Sequence, residues 1–221
     1  MQFVKTEGWQ AGTQALSKRL TEELKAGKKV LWLVPGGSNI PASVAIMNNL
    51  PVELTENLAI LLTDERYGLP GHPDSNFKQL HDAGFNPQQA TFIPALVENL
   101  KLQDTTQRYE ELVQQAFAHA EVTIGQFGIG PDGHIAGILP RSPATNSNSL
   151  VASYEAPPFV RLTMTFEALR RLQVAYAFVF GAEKRAALDK LKAEDLTLAE
   201  QPSQILKQLP EAYIYNDQIG G

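Results

Sequence analysis

The stretch that decides the fold is VTIGQFGIGPDGH, residues 122–134. Its first six residues have the apolar, β-branched and aromatic composition of a buried strand. The next seven contain three glycines, which let the backbone turn tightly and approach a ligand closely. Asp132 and His134 lie in this turn, and imidazole is the side chain whose charge changes near neutral pH. A strand that ends in such a loop predicts a functional site at the carboxyl edge of an open α/β sheet.

Strands and helices alternate on both sides of this stretch. Continuous apolar runs predict strands at residues 30–34, 58–62 and 174–180, and shorter or mixed stretches indicate strands at residues 90–93, 160–165 and 212–215. Helical periodicity and start signals predict helices at residues 11–25, 41–49, 77–83, 105–120, 166–172, 181–192 and 203–208. Such alternation implies right-handed crossovers and a sheet covered on both faces. The sequence therefore predicts an α/β fold: a three-layer, Rossmann-like, mostly parallel sheet, with residues 1–221 as a single domain.

The composition excludes several classes of protein. The 221 residues include no cysteine, which rules out disulfides, thiol nucleophiles and cysteine-ligated metal sites. A net charge of −5 argues against nucleic-acid or acidic-membrane partners, so an anionic ligand must be held by a few local cations. The first residues show no signal peptide and no apolar run approaches the length of a membrane span. We therefore expect a cytoplasmic protein.

A second glycine-rich turn follows the strand at residues 30–34. It contains Gly36, Gly37 and Ser38, and Pro41 then opens a helix in the first-turn position that proline favours. Such a turn gathers free backbone N–H groups at the positive end of a helix dipole, which is a common site for phosphate. The alternative is a plain loop.

A third polar cluster follows the strand at residues 58–62. It includes Asp64 and Arg66, and residues 74–76 (DSN) supply caps for the next helix. This cluster follows the end of a predicted strand, as Ser38 and His134 do, so we expect all three at the same edge of the sheet. The alternative is a solvated strand end with a local ion pair.

Other familiar site patterns fit poorly. Residues 128–133 match G-x-G-x-x-G, but Pro131 occupies the turn and two prolines follow where the dinucleotide fingerprint needs a helix. There is no Walker A sequence and no G-x-S-x-G elbow. The four histidines show no metal-ligand spacing. Of these, His81 is expected at the surface, and His119 is expected to end a helix, where a cation is favourable. His72 lies in a loop rich in glycine and proline, with a place in the cleft as one alternative.

Six short motifs fall in the order found in 6-phosphogluconolactonases, a branch of the family that also contains glucosamine-6-phosphate deaminases. They are VPGGS (34–38), TDER (63–66), PDSN (73–76), GIGPDGHIA (128–136), RLTM (161–164) and GAEK (181–184). The resemblance implies a sugar-phosphate enzyme without metal or organic cofactor, acting on a small phosphosugar lactone as a monomer or small homo-oligomer.

Two residues favour the lactonase branch over the deaminase branch. The deaminases carry Asp-Glu-Tyr where this chain has Arg66 as the third residue, and they place a glutamate where this chain has Leu139. Two departures from the lactonase pattern are Asn39, where threonine is usual, and the loop at residues 139–149. A non-catalytic sugar-phosphate-binding protein and, more remotely, a nicotinamide-binding domain remain as alternatives.

The resemblance also implies a role for each site residue. His134 is expected to be the general base that activates water, and Asp132 to place the loop or set the imidazole tautomer. Either Arg66 or N–H groups of the loops are expected to stabilise the developing oxyanion. Asp64 is expected to bind sugar hydroxyls. The phosphate is expected to bind the remaining residues of the predicted site, which are Gly36, Gly37, Ser38, Arg161 and Lys184.

Overall fold

The computed structural model describes residues 1–220. The strands are β1 (Gln2–Lys5), β2 (Val30–Val34), β3 (Leu58–Leu62), β4 (Asp64–Arg66), β5 (Thr91–Ile93), β6 (Val122–Phe127), β7 (Val151–Ala156), β8 (Phe159–Met164), β9 (Val174–Val179) and β10 (Glu211–Asn216). The α-helices are α1 (Gln10–Lys25), α2 (Ile40–Asn48), α3 (Asn76–Asp82), α4 (Leu102–His119), α5 (Phe166–Leu169) and α6 (Arg185–Ala193).

Seven of these strands form one parallel sheet in the order β1-β10-β9-β6-β2-β3-β5. From β2 the chain proceeds outward to β3 and β5, and it then returns to place β6 on the other side of β2. The connections after β2 and β6 therefore diverge and leave a crevice between them, the topological switch point where open α/β sheets bind ligands.

The alternation of side chains along each strand builds a hydrophobic core on each face of this sheet. In β2, Leu31 and Leu33 belong to a core shared with α4 and α6. Val30, Trp32 and Val34 belong to the opposite core, shared with α1 and α2. Since successive side chains point to opposite faces, one fully buried strand serves both cores. The predicted three-layer, mostly parallel α/β fold is confirmed.

Helix α1 illustrates how the sequence fixes an element. Leu16, Leu20 and Leu24 recur every four residues and are almost completely buried against the sheet. The helix ends at Lys25, and Gly27 then adopts a left-handed conformation with φ of 75°. Glycine has no Cβ penalty there, which is why it commonly ends helices.

A second, antiparallel sheet has the strand order β4-β8-β7 and was not predicted. The segment at residues 63–67 is therefore not a simple strand end, because its charged residues form β4. The predicted strand at residues 160–165 exists as β8, but it pairs with β4 and β7 and lies outside the parallel sheet. Charged β4 carries no strand pattern of its own and depends on β8 for its pairing.

The other predicted elements agree with the structure within a few residues at each end, with two differences of type. Residues 203–208 form a 3₁₀ turn, Pro202–Gln208, and the helix expected from residue 181 starts as a 3₁₀ turn, Ala182–Lys184. Strands β1 and β7 were not predicted. Within residues 1–220, no helix combines the length and hydropathy that a membrane crossing needs. The single-domain organisation stays a prediction.

Candidate active site

A cleft of about 260 Å³ lies at the switch point, on the carboxyl edge of the parallel sheet. Its lining is formed by Pro35, Gly36, Gly37, Ser38, Asn39, Asp64, Arg66, Asn76, Gly128, Ile129, Gly130, His134, Ala136, Arg161 and Lys184. The structure thus brings the predicted site residues to one cleft, except that Asp132 lies outside the lining, in contact with His134. These residues come from five separate segments of the chain, which only the fold brings together.

The Gly36-Gly37-Ser38 turn forms one wall. Gly37 has φ of 65°, and a Cβ on Gly36 would overlap the side chain of Asn76. The chain then makes a single 3₁₀ turn, Gly37–Asn39, that leads directly into α2. The first N–H groups of a helix have no intrahelical acceptor, so this turn presents them to the cleft as an anion-binding surface.

The turn that carries His134 is a tight hairpin loop. The N–H of Gly133 donates to the carbonyl of Gly130 at 2.9 Å, and the N–H of Gly130 donates to the carbonyl of His134 at 3.0 Å. Pro131 occupies the first central position, which suits its fixed φ, and Gly133 has φ of 83°. The sequence Gly-Pro-Asp-Gly therefore encodes the loop, and His134 is the first residue after it.

His134 and Asp132 form a hydrogen-bonded pair. Nδ1 of His134 lies 2.7 Å from Oδ1 of Asp132, and the backbone N–H of His134 donates to the same oxygen at 3.2 Å. Burial works to raise the pKa of Asp132, but the hydrogen bond and charge of His134 outweigh it, and this pKa lies below its ordinary value. A charged Asp132 assigns the Nδ1 proton to the shared bond, which leaves Nε2 free as a proton acceptor.

Two arginines form the opposite wall. Arg66 on β4 and Arg161 on β8 are directly paired across the antiparallel sheet. Their guanidinium carbons lie 4.6 Å and 6.0 Å from the ring centroid of Phe159, which stacks against both. Oδ2 of Asp64 lies 3.8 Å from Arg161 as a partial counter-ion. Like charges that face each other across a sheet destabilise it, so this pair gains from a bound anion.

The third cation of the cleft is Lys184. It ends the 3₁₀ turn Ala182–Lys184 and immediately precedes α6, after Gly181 with φ of 112°. No carboxylate of residues 1–220 lies within ion-pair distance of its ammonium group. Its charge is therefore available to a ligand.

Glu65 is a site-supporting residue that sequence reasoning missed. Its carboxylate is fully buried and accepts hydrogen bonds from the Ser75 hydroxyl and from the backbone N–H groups of Arg66, Asn76 and Phe77, at 2.6–3.0 Å. Burial raises the pKa of Glu65, although these four hydrogen bonds oppose the shift. The alternative of a solvated strand end is therefore wrong, because Glu65 ties β4 to the first turn of α3.

His72 lies outside the cleft lining. Its Nε2 is 2.9 Å from the backbone carbonyl oxygen of Arg66, so it contacts the backbone of a cleft residue without lining the cleft itself.

The remaining residues singled out in the sequence have varied positions. Asn39 lines the cleft and donates to the carbonyl of Phe178 at 3.3 Å. His81 is exposed, as expected. Within residues 1–220 no cluster of three or more acidic or histidine side chains has the geometry of a metal site.

Fold and cleft together define an open α/β protein with three cationic side chains and an imidazole around one cleft at its switch point. Residues 5–214 match the sequence model of the family described as Glucosamine-6-phosphate isomerases/6-phosphogluconolactonase, and the chain belongs to this family.

Relatives of known name agree with this placement. The chain is 30% identical to a 6-phosphogluconolactonase of Helicobacter pylori over 161 residues, which are 66% of this chain and 69% of that protein. It is 28% identical to the Caulobacter vibrioides 6-phosphogluconolactonase over 212 residues, 90% and 88% of the two chains.

Solved structures show the same fold. A 6-phosphogluconolactonase of Shewanella baltica superposes with a TM-score of 0.82 at 18% identity, covering 98% of this chain and 97% of that one. A monomeric glucosamine-6-phosphate deaminase superposes with a TM-score of 0.77, also at 18% identity, covering 98% and 97%. The fold is therefore common to both branches, and the choice between them depends on site residues.

Proposed function

We propose that this chain hydrolyses 6-phosphogluconolactone to 6-phosphogluconate. The observation that carries the proposal is that His134, paired with Asp132, shares one cleft with Arg66, Arg161 and Lys184. Lactone hydrolysis needs a base for water and cations for a phosphate, and this cleft offers both. The names of the relatives support the same activity.

In the proposed reaction His134 is the general base. Its Nε2 takes a proton from a water molecule as the water oxygen attacks the lactone carbonyl carbon. The tetrahedral intermediate then collapses, the bond from that carbon to the ring oxygen breaks, and the imidazolium returns the proton to the departing oxygen. Asp132 stays charged, keeps the proton of the neutral ring on Nδ1 and stabilises the imidazolium between the two steps.

Negative charge develops on the carbonyl oxygen during the attack. Arg66 lies on the cleft wall, and backbone N–H groups of the glycine turns are further donors. Removing one such donor typically costs about 2.7–4 kcal/mol of transition-state stabilisation. We assign this role to Arg66, because its guanidinium is held by Phe159 and by a 2.9 Å hydrogen bond to the carbonyl of Asp74.

The substrate phosphate is assigned to the Gly36–Ser38 turn with Arg161 and Lys184. Arginine suits bidentate contact with phosphate oxygens, and lysine contributes a point charge. Asp64 is largely buried beside Arg161, and its carboxylate is assigned to the sugar hydroxyls. This chemistry requires no metal or organic cofactor.

Deamination of glucosamine 6-phosphate is the alternative activity in this family. Leu139 occupies the position at which the deaminases resembled by this chain carry a glutamate. Its side chain packs against the core, and its N–H donates to the Tyr154 hydroxyl at 3.2 Å. An apolar side chain transfers no proton, so this position favours the lactonase. A non-catalytic binding protein is the second alternative.

Two assays on one preparation separate these activities. Loss of 6-phosphogluconolactone is followed with subtraction of spontaneous opening, and ammonia release from glucosamine 6-phosphate is measured in parallel. We expect enzyme-dependent lactone hydrolysis and no ammonia. Ammonia release without lactone hydrolysis would assign the chain to the deaminases. Thermal stabilisation by 6-phosphogluconate without any turnover would show a binding protein.

A further inference from the structure

A segment near the C-terminus, residues 199–204, supports the turn that carries His134. The N–H of Ser203 donates to the carbonyl of Gly133 at 2.9 Å. On the other side of His134, the N–H of Arg141 donates to the carbonyl of Ala199 at 2.8 Å. The segment therefore holds the polypeptide both before and after the imidazole, although it lies about 65 residues away in the sequence.

Within this segment, the Gln201 side chain packs beside Gly133, directly before His134. It is 2% exposed, and its Cγ lies 2.5 Å from the place where a Cβ on Gly133 would stand. Its Nε2 donates to the backbone carbonyl of Ala187 at 2.8 Å and to the Ser203 hydroxyl at 3.1 Å. Its Oε1 accepts from Nε2 of Gln204 at 3.3 Å, so the side chain fills the space beside Gly133 and is itself fixed by three hydrogen bonds.

Helix α6 is the rigid partner in this arrangement. Ala187, Leu188 and Leu191 are at most 3% exposed and belong to the core on that face of the sheet. Lys184 directly precedes the same helix. Gln201 therefore connects the irregular His134 turn to an element that is anchored in the core and that also carries a cation of the cleft.

We infer that Gln201 is a positioning residue, which holds the Gly133–His134 turn against α6 and so fixes the imidazole relative to the bound lactone. The inference rests on the proposed role of His134 as general base. A general base must stay within hydrogen-bond reach of the water that it activates, and a displacement of about 1 Å costs about 10²-fold in rate. Gln201 touches neither cleft nor substrate and acts only through the turn.

The test compares Gln201→Met with Gln204→Met. Methionine keeps the volume of glutamine and removes its hydrogen bonds. Gln204 is the control, since it is 3% exposed in the same 3₁₀ turn and donates to the carbonyl of Glu194 at 3.0 Å and to Oε1 of Gln201 at 3.3 Å. Its replacement leaves the hydrogen bonds from Gln201 to Ala187 and Ser203 in place. We expect Gln201→Met to lower kcat roughly 10- to 100-fold with KM within about twofold. Gln204→Met should lower Tm and keep kcat. Equal loss of kcat in both variants would overturn the inference.

A double-mutant cycle distinguishes a positioning role of Gln201 from a general loss of rigidity in the folded chain. In a His134→Ala background, Gln201→Met should change kcat by less than about twofold, because no base remains to be positioned. The same fractional loss in both backgrounds would contradict the inference. Gln201→Asn, which keeps the amide but is one methylene shorter and so loses the donor to Ala187, should show a loss of the same kind, and serves if Gln201→Met does not fold.

The two proposals fail in different ways. Full kcat in His134→Ala would overturn the proposed base, and the positioning role would fall with it. Wild-type kcat in Gln201→Met and Gln201→Asn, beside a strongly reduced kcat in His134→Ala, would overturn the positioning role alone.

Discussion

At the scale of single residues, the site depends on a glycine as much as on the imidazole. The His134 ring folds back over Gly130, and a Cβ at that position would overlap Nδ1 of His134 and stand 2.5 Å from Oδ1 of Asp132. Both partners of the hydrogen-bonded pair would then have to move. The absence of a side chain at Gly130 therefore permits the geometry proposed for proton transfer.

Gly130→Ala should therefore impair catalysis more than folding. Gly130 has no left-handed φ, so alanine fits the backbone and the damage is steric. We expect kcat to fall roughly 10- to 100-fold, as for an imidazole moved by about 1 Å, with a small change in Tm. Gly220→Ala is the control, because a Cβ there meets nothing within 4 Å. Unchanged kcat in Gly130→Ala would show that the observed His134–Asp132 contact is not needed.

Lys184 and its neighbour Arg185 offer a matched pair for the phosphate assignment. Lys184 is half-buried and lines the cleft, whereas the Arg185 side chain is 61% exposed and faces Asp189. Lys184→Ala should raise KM about tenfold, the low end for a lost charged hydrogen bond at a half-exposed site, with kcat little changed. Arg185→Ala should leave both constants unchanged. If KM is the same in both variants, the phosphate binds elsewhere.

At the scale of elements, the buried Glu65 joins the small antiparallel sheet to α3. Burial raises its pKa above the ordinary value of 4.5. A carboxyl group whose pKa is higher in the folded chain than in the unfolded chain binds its proton more tightly when folded. Its contribution to stability is therefore fully present below about pH 4.5 and is lost as the pH rises through the raised pKa.

Glu65→Gln should destabilise the chain, because an amide NH₂ would face N–H donors of α3. The expected cost is about 1–3 kcal/mol of unfolding free energy near pH 5 for an unpaired buried donor. Glutamine does not titrate, so the difference in unfolding free energy between wild type and Glu65→Gln should become smaller as the pH rises from 4.5. Urea unfolding across pH 4–7 measures this difference, and Glu53→Gln at an exposed position is the control. A difference that widens with pH would contradict the direction of the shift.

Sequence patterns predicted the parallel sheet well because its central strands are buried on both faces. Residues 30–34 and 58–62 are apolar throughout, residues 122–127 are buried throughout, and the structure assigns all three stretches the predicted bounds. Strand β1 lies at the sheet edge with a mixed pattern, and charged β4 pairs only through tertiary structure. Neither carries a local signal that distinguishes it from a loop.

The candidate site was predictable to a similar extent and for a similar reason. Glycine turns that follow strands have a recognisable sequence, so His134 and the Gly36–Ser38 turn could be found. A buried carboxylate such as Glu65 and a lone amide such as Gln201 look like surface residues in a sequence. Their contacts arise from residues 10 or more positions away, and only the structure shows them.

At the scale of the whole molecule, the strand order explains why one edge carries the chemistry. The connections after β2 and β6 diverge, and the small sheet and the start of α6 close the cleft from two sides. With a net charge of −5, the chain as a whole does not attract an anion. The proposed binding of a phosphosugar therefore relies on Arg66, Arg161 and Lys184, which form a local cluster of cations in the cleft.

The most direct test of the central claim is the kcat for 6-phosphogluconolactone of His134→Ala, beside His81→Ala as the exposed control, after subtraction of spontaneous opening. We expect His134→Ala to lower kcat roughly 10²- to 10⁴-fold with KM nearly unchanged. His81→Ala should match wild type. Full activity in His134→Ala would contradict a histidine base in this cleft.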